Sequence, residues 1–268
     1  MPFTFAHPAA AIPLRRCLGR VAVPSALVIG SVMPDCPYFL IFSMPRAMSH
    51  SLPALFWYCV PVGLALYLVF HLFVKLPLIS LMPAVLANRL AAVVAGPRLP
   101  AVPWWHVLLS LLVGAVSHLL WDAFTHGGGA AVRTFTSLRT ELFALGNYHM
   151  LVFKLLQHAS TILGMAALVV WIVDWIRRTP AHGMCPISLS RRARAGCVAL
   201  ILAVTAVAAL WSALAIIVGR TVTVSLAQDA VGEATINGIT ALGAAIIAFS
   251  ALWHALVRRE VYSPLRHR

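Results

Sequence analysis

The chain has 268 residues, of which 61% are hydrophobic and only 10% charged. Soluble globular chains carry about 25% charged residues, so this balance excludes a soluble domain and points to an integral membrane protein built of helices, since lipid satisfies no backbone groups. The net charge of +13 does not read as nucleic-acid binding. The basic residues sit in loops between apolar runs, the positive-inside pattern, which leaves membrane lipids, anionic headgroups included, as the expected partners.

In chain order, residues 1–20 are too polar and too Pro-interrupted to span, and no small-residue cleavage site follows Arg15, Arg16 and Arg20, so the N-terminus is expected to be retained. His7 precedes Pro8 and is expected in an extended or turn conformation. Residues 21–33 are apolar but short for a span. Pro34-Asp35-Cys36-Pro37 then breaks the run before the apolar stretch Tyr38 to Met44, which predicts a broken or re-entrant segment with Asp35 at the break. Ser49-His50-Ser51 precedes a span over 52–74. Residues 75–103 are Pro-rich, with helical character from Leu78 to Val94. A second span covers 104–126, a loop 127–150, a third span 151–176, a basic loop 177–195, and two further spans 196–219 and 236–257. The fold class is therefore all-α, a polytopic transmembrane helical bundle. Residues 1–178 form the membrane-embedded part with the chemistry, and 179–268 a basic loop plus two supporting helices. The five cysteines, Cys17, Cys36, Cys59, Cys185 and Cys197, include no CxxC pair, so packing is their expected role.

The stretch His118-Leu-Leu-Trp-Asp122-Ala-Phe-Thr-His126 closes the second span. Spacing of i, i+4, i+8 places His118, Asp122 and His126 in one stripe of a helix, about 6 Å apart along its axis. Gly114, one turn earlier, lets another helix approach. Ionisable groups in lipid are expensive and face protein or water, and imidazole with carboxylate is the ligand set of zinc, manganese or iron. The bland alternative is a polar stripe sealing a helix contact. With the 177–195 loop and the C-terminal tail on the cytoplasmic side, the stripe, His50, Lys154 and His158 fall toward the external face. The metal-ligand candidates are His7, Asp35, His50, His118, Asp122, His126 and His158. His71, His106, His149, His182, His254 and His267 are read as structural.

The segments MPFTFAHPAA, SALVIGSVMPD, SHS, SHLLWDAFTH and KLLQHASTILG resemble a bacterial membrane-protein family described as a domain of unknown function, over about residues 1–178. The wider pattern, an early His, a Pro-Asp, a His-Ser and a helical HxxxD, is similar to bacterial inner-membrane proteins labelled membrane-bound metal-dependent hydrolases. The ligand order also resembles the zinc-dependent phospholipase C and P1-type nuclease fold. That last resemblance implies one metal among Asp35, His50, His118 and Asp122, a second near His7 bridged by Asp122, and a third on His126 and His158. The chain departs from it in having no N-terminal tryptophan ligand and in placing Ile162 where an acidic residue would follow His158, so one or two metals are expected.

These readings converge on a membrane-embedded, metal-dependent hydrolase of the bacterial cytoplasmic membrane. Its expected substrate is a phosphoester of a lipid or lipid-linked molecule, and its expected cofactor a divalent metal, zinc first. Asp35 and Asp122 are the expected bridging or basic carboxylates, and Lys154 the group facing developing negative charge. Ser117 next to His118 makes no triad, because adjacent helical residues point in different directions. The alternatives are a non-catalytic protein whose His/Asp cluster binds or transports metal ions or protons, and a structural membrane protein with a polar core.

Overall fold

The computed structural model describes residues 3–40, 44–146, 148–181 and 183–261. Residues 41–43 of the apolar run after the break, His182, His267 and the C-terminal Arg266 and Arg268 lie outside the described residues. The principal helices are α1 (Pro8–Leu18), α2 (Pro24–Val32), α3 (Leu55–Leu81), α4 (Trp104–Thr125), α5 (Val152–Arg178), α6 (Arg191–Ile217) and α7 (Val224–Val261). Five helices among the described residues are long and apolar enough to cross a membrane. The fold is all-α. On α5, Ile162 and Val170 are 70% and 68% exposed, and on α6 Trp211 is 76% exposed, which is what lipid as solvent permits and water does not.

Helix ends depart from the sequence expectation in physically readable ways. The first span starts at Leu55 and runs on to Leu81. It carries wide π turns at Leu55–Cys59 and Phe70–Val74. Pro61 and Pro77 lack the N–H that would bond residues 57 and 73, and the ladder widens just before each. Helix α6 begins earlier than the apolar run, at Arg191, because the Ser190 hydroxyl caps it by accepting from the Ala193 N–H at 3.3 Å. The segment expected as an irregular loop contains an antiparallel hairpin, β1 (Glu141–Leu145) with β2 (Tyr148–Leu151).

The chain divides into two units. One takes the described residues up to Tyr67 with Ala101–Arg177 and Thr223–Ser225; the other takes Leu68–Pro100, Arg178–Val222 and Leu226 onward. In the first unit, α2 crosses α4 at backbone contact. A Cβ on Gly30 would strike the Leu111 backbone, and one on Gly114 would strike the backbone of Leu27 and Ser31. The sequence placed a close helix at Gly114, and α2 is that helix. Leu27, Leu111 and Ala115 are fully buried there. After Val32 the chain tightens into a 3-10 turn over Met33–Phe39, so the expected break is present with Asp35 in it. Met33 and Cys36 of this turn pack with Tyr58, Cys59 and Ala115.

In the second unit, the short helical pieces after α3 are tied to the 178–190 segment. The Cys185 N–H donates to Asn88 Oδ1 at 3.0 Å and the Leu189 N–H to the Ser80 carbonyl at 3.3 Å. His254 of α7 meets the Phe73 carbonyl at 2.9 Å. The cysteines are free, with Cys36, Cys59 and Cys185 buried.

Candidate metal centre

Three segments of the first unit bring their polar side chains to one point. Asp35 comes from the 3-10 turn after α2, Arg46 and His50 from a helical turn at Arg46–Ser49 and its cap, and His118 and Asp122 from α4. Asp35, His118 and Asp122 are all at least 96% buried. One ligand atom from each of Asp35, His50, His118 and Asp122 lies within 4.8 Å of every other. His50 Nε2 is 3.3 Å from both Asp35 Oδ1 and Asp122 Oδ2, and His118 Nε2 is 3.6 and 3.3 Å from the same oxygens. A tetrahedral zinc with bonds of about 2.0–2.1 Å would separate its ligand atoms by roughly 3.3–3.4 Å, so the spacing fits a four-coordinate divalent ion.

The outer hydrogen bonds fix which nitrogen faces inward. His118 Nδ1 lies 2.8 Å from the Ser31 carbonyl. A carbonyl only accepts, so Nδ1 carries the proton and the Nε2 of a neutral ring is a bare lone pair. The Ser49 hydroxyl donates to the Arg46 carbonyl at 3.3 Å and meets His50 Nδ1 at 2.9 Å, which assigns His50 the same tautomer. Thr4 Oγ1 donates to Asp35 Oδ2 at 2.8 Å, leaving Oδ1 turned toward the histidines. Partners of this kind orient the ligands of metal sites. His118 Nε2, His50 Nε2 and Asp35 Oδ1 are buried without a hydrogen-bond partner. Two lone pairs facing two carboxylates repel unless a cation sits among them.

Two further histidines approach the other oxygen of Asp122. His7 Nε2 lies 3.7 Å and His126 Nδ1 3.2 Å from Asp122 Oδ1. The His7 ring is buried, stacks on His118 with centroids 3.8 Å apart, and has neither nitrogen bonded. His7 occupies a turn as expected, but its dihedrals (φ −59°, ψ −35°) are right-handed helical, against the bias set by Pro8; its carbonyl accepts from the Ala10 and Ala11 N–H groups. His126 departs from the expected helical stripe. Helix α4 ends at Thr125 and His126 is extended (φ −124°, ψ 139°), so the Asp122 contact is made from a cap position.

Burial, reinforced by the neighbouring His118, holds the His7 pKa down at about 3, so the ring is neutral and available as a ligand at neutral pH. Burial alone would raise Asp35, but the His50 and His118 imidazoles facing its carboxylate outweigh burial and hold it at about 2. His50 is pushed up, because the Asp122 and Asp35 carboxylates facing its Nε2 outweigh its burial.

The structure does not bring Lys154 or His158 into this group. The Lys154 ammonium donates to the His149 carbonyl at 2.9 Å and lies 4.4 Å over the Tyr148 ring. His158 is exposed and meets the Tyr148 hydroxyl at 3.5 Å. Both therefore serve the hairpin. The cation that reaches the carboxylates is Arg46, absent from the sequence candidates. Its Nη2 pairs with Asp122 Oδ2 and its Nη1 lies 3.8 Å from Asp35 Oδ1. Arg46 stands four residues before His50, a spacing that shares a helical face; reading arginines only as topology markers hides that signal.

The family model described as "Domain of unknown function (DUF4184)" matches residues 1–251. The chain belongs to this family. The match contains all seven sequence-derived ligand candidates and Arg46, and reaches beyond the 1–178 region that carried the resemblance. No curated protein and no solved structure matches the chain.

Proposed function

We propose that this family member is a membrane-embedded, metal-dependent hydrolase of phosphoesters, with zinc the first metal and lipid or lipid-linked molecules the substrates. The observation that carries the reading is His118. Its Nδ1 is committed to the Ser31 carbonyl and its Nε2 points between two buried carboxylates, which presents a neutral imidazole lone pair and two anions to one point, the donor set of a divalent cation. Asp35, His50, His118 and Asp122 would hold the ion. His7 and His126, facing Asp122 Oδ1, would serve a second ion bridged by that carboxylate. When bound, such a metal lowers the pKa of water and polarises a phosphoryl oxygen.

The chain supplies the rest. Arg46, with its side chain 31% exposed, offers a planar fork suited to two phosphoryl oxygens, the role expected of Lys154. Thr4 holds Asp35 in the orientation that presents Oδ1. His7, neutral at pH 7, presents Nε2 toward Asp122 Oδ1. The basic loop 177–195 and the C-terminal arginines support a site toward the external face of a bacterial cytoplasmic membrane.

The test is metal content of detergent-purified protein, wild type against His118→Ala, with hydrolysis of a phospholipid and phosphodiester panel. Stoichiometric metal and hydrolysis, both lost in the variant, are expected. Metal that persists in His118→Ala would defeat the ligand set. Metal lost with no hydrolysis by wild type would favour the non-catalytic metal-handling alternative.

A further inference from the structure

His7 faces two ways. One side of its ring stacks on His118. It also lines, with Thr125, a cavity of about 830 Å³ between α1, α4 and α5, within the range of about 300–1,000 Å³ that houses small molecules. The space exists because Ala6 and the α1 residues Ala9 and Ala10 face Ala159, Gly164 and Ala167 of α5, all of them small. Larger apolar side chains, Leu14, Leu120, Phe124 and Leu163, complete the wall.

Apart from His7, at the end next to the cluster, the polar side chains of this wall are already spent. The Ser117 hydroxyl donates to the Gly114 carbonyl at 2.7 Å, Ser160 to Gln157 at 3.0 Å and Thr125 to Trp121 at 3.1 Å. A polar ligand filling the cavity would lose its hydration and gain little in return. A hydrocarbon loses nothing of that kind. The lining runs from Ser117 to Thr125 on α4 and from Leu156 to Ala167 on α5, about 12–16 Å along the helix axes. That is about half of a hydrocarbon core of about 30 Å, the depth of one leaflet.

We infer that the cavity takes one acyl chain of a phospholipid whose phosphate lies against Arg46 and the His/Asp cluster. The inference rests on the metal-hydrolase reading for what happens to the phosphate, but not for the seating of the chain. His7 joins the two compartments: the apolar one selects a long-chain amphiphile and the polar one its head. The substrate class is thus a membrane phospholipid rather than a soluble phosphodiester.

The experiment uses the full chain in lipid nanodiscs doped with phosphatidylglycerol carrying a diazirine within one acyl chain. Photolabelled peptides are mapped by mass spectrometry, and bound zinc is measured on the same preparation. Labels are expected on residues 117–125 and 156–167. A diacylglycerol with the same labelled chain but no phosphate should label about tenfold less, as should Ala10→Trp and Ala167→Trp, a loss comparable to giving up roughly two buried methylenes. The Trp variants should keep wild-type zinc. Equal labelling by the phosphate-free lipid would reduce the cavity to a groove for bulk lipid and overturn the inference, as would an absence of label from these segments in wild type. Phosphate-dependent labelling in a wild type that binds no zinc would uphold the lipid site while removing the metal reading. The comparison of the two lipids needs no variant, so a misfolded Trp substitution leaves the outcome decided.

Discussion

Each unit buries a histidine in an apolar helix, and the two are not alike. In the second unit His71 and Lys75 of α3 are 6% and 8% exposed. His71 Nδ1 lies 3.1 Å from the Arg98 carbonyl, to which Lys75 Nζ also donates, at 2.6 Å. In the first unit His118 likewise spends Nδ1 on a carbonyl, but its Nε2 faces Asp35 and Asp122. A buried imidazole on a backbone oxygen anchors a loop to a helix. The same imidazole with its second nitrogen aimed at two carboxylates makes a cation site. Burial of an ionisable group among apolar helices is therefore a weak marker of function; what surrounds the remaining nitrogen separates the cases.

The contrast can be broken most severely at Asp122. Asp122→Asn keeps hydrogen-bonding capacity but removes the anion that four histidines and Arg46 approach; bound metal should fall to background by elemental analysis, with helical circular dichroism retained. Next in size is Gly114→Leu. The added side chain meets the backbone of Leu27 and Ser31, so α2 must move and carry the Ser31 carbonyl from His118. Metal affinity should drop about 10–100-fold, with about 1–3 kcal/mol lost from stability, read by metal titration and by thermal unfolding in detergent. Arg46→Lys keeps charge and loses the fork. Metal should stay bound while turnover of a phosphodiester falls about tenfold, less than the loss from deleting a transition-state donor outright. The smallest effect belongs to His71→Ala, which should leave metal stoichiometry unchanged and cost about 1 kcal/mol in the same unfolding assay. Metal loss there would erase the distinction between the two histidines.

Much of this is legible in the amino-acid sequence. The apolar runs place all five long helices, and the Pro-Asp-Cys-Pro break places Asp35, because both rest on composition and proline geometry that act locally. His118 and Asp122 follow from helical spacing, and Gly114 from the absence of a side chain on the same stripe. Arg46 was not legible as a site residue, since its meaning depends on Asp122, seventy-six positions away, and an arginine beside an apolar run has a simpler use at the membrane surface. Lys154 and His158 share a helical face as expected, but that face serves the hairpin, which sequence periodicity did not reveal: five residues paired with four is too short a pattern to stand out.

The crossing of α2 with α4 through Gly30 and Gly114 also sets an order of assembly. Helix α2 has nine residues, about 13 Å of rise, against a hydrocarbon core of about 30 Å, so it cannot hold itself across a bilayer as the chain emerges from the ribosome. Its seat, the backbone around Leu111, is made only after some eighty further residues have been synthesised and α4 has entered the membrane. Until then Asp35 has no His118 beside it. Helix α2 thus settles only after the later-translated α4, and the centre cannot close on an ion before the second long span following it is in place.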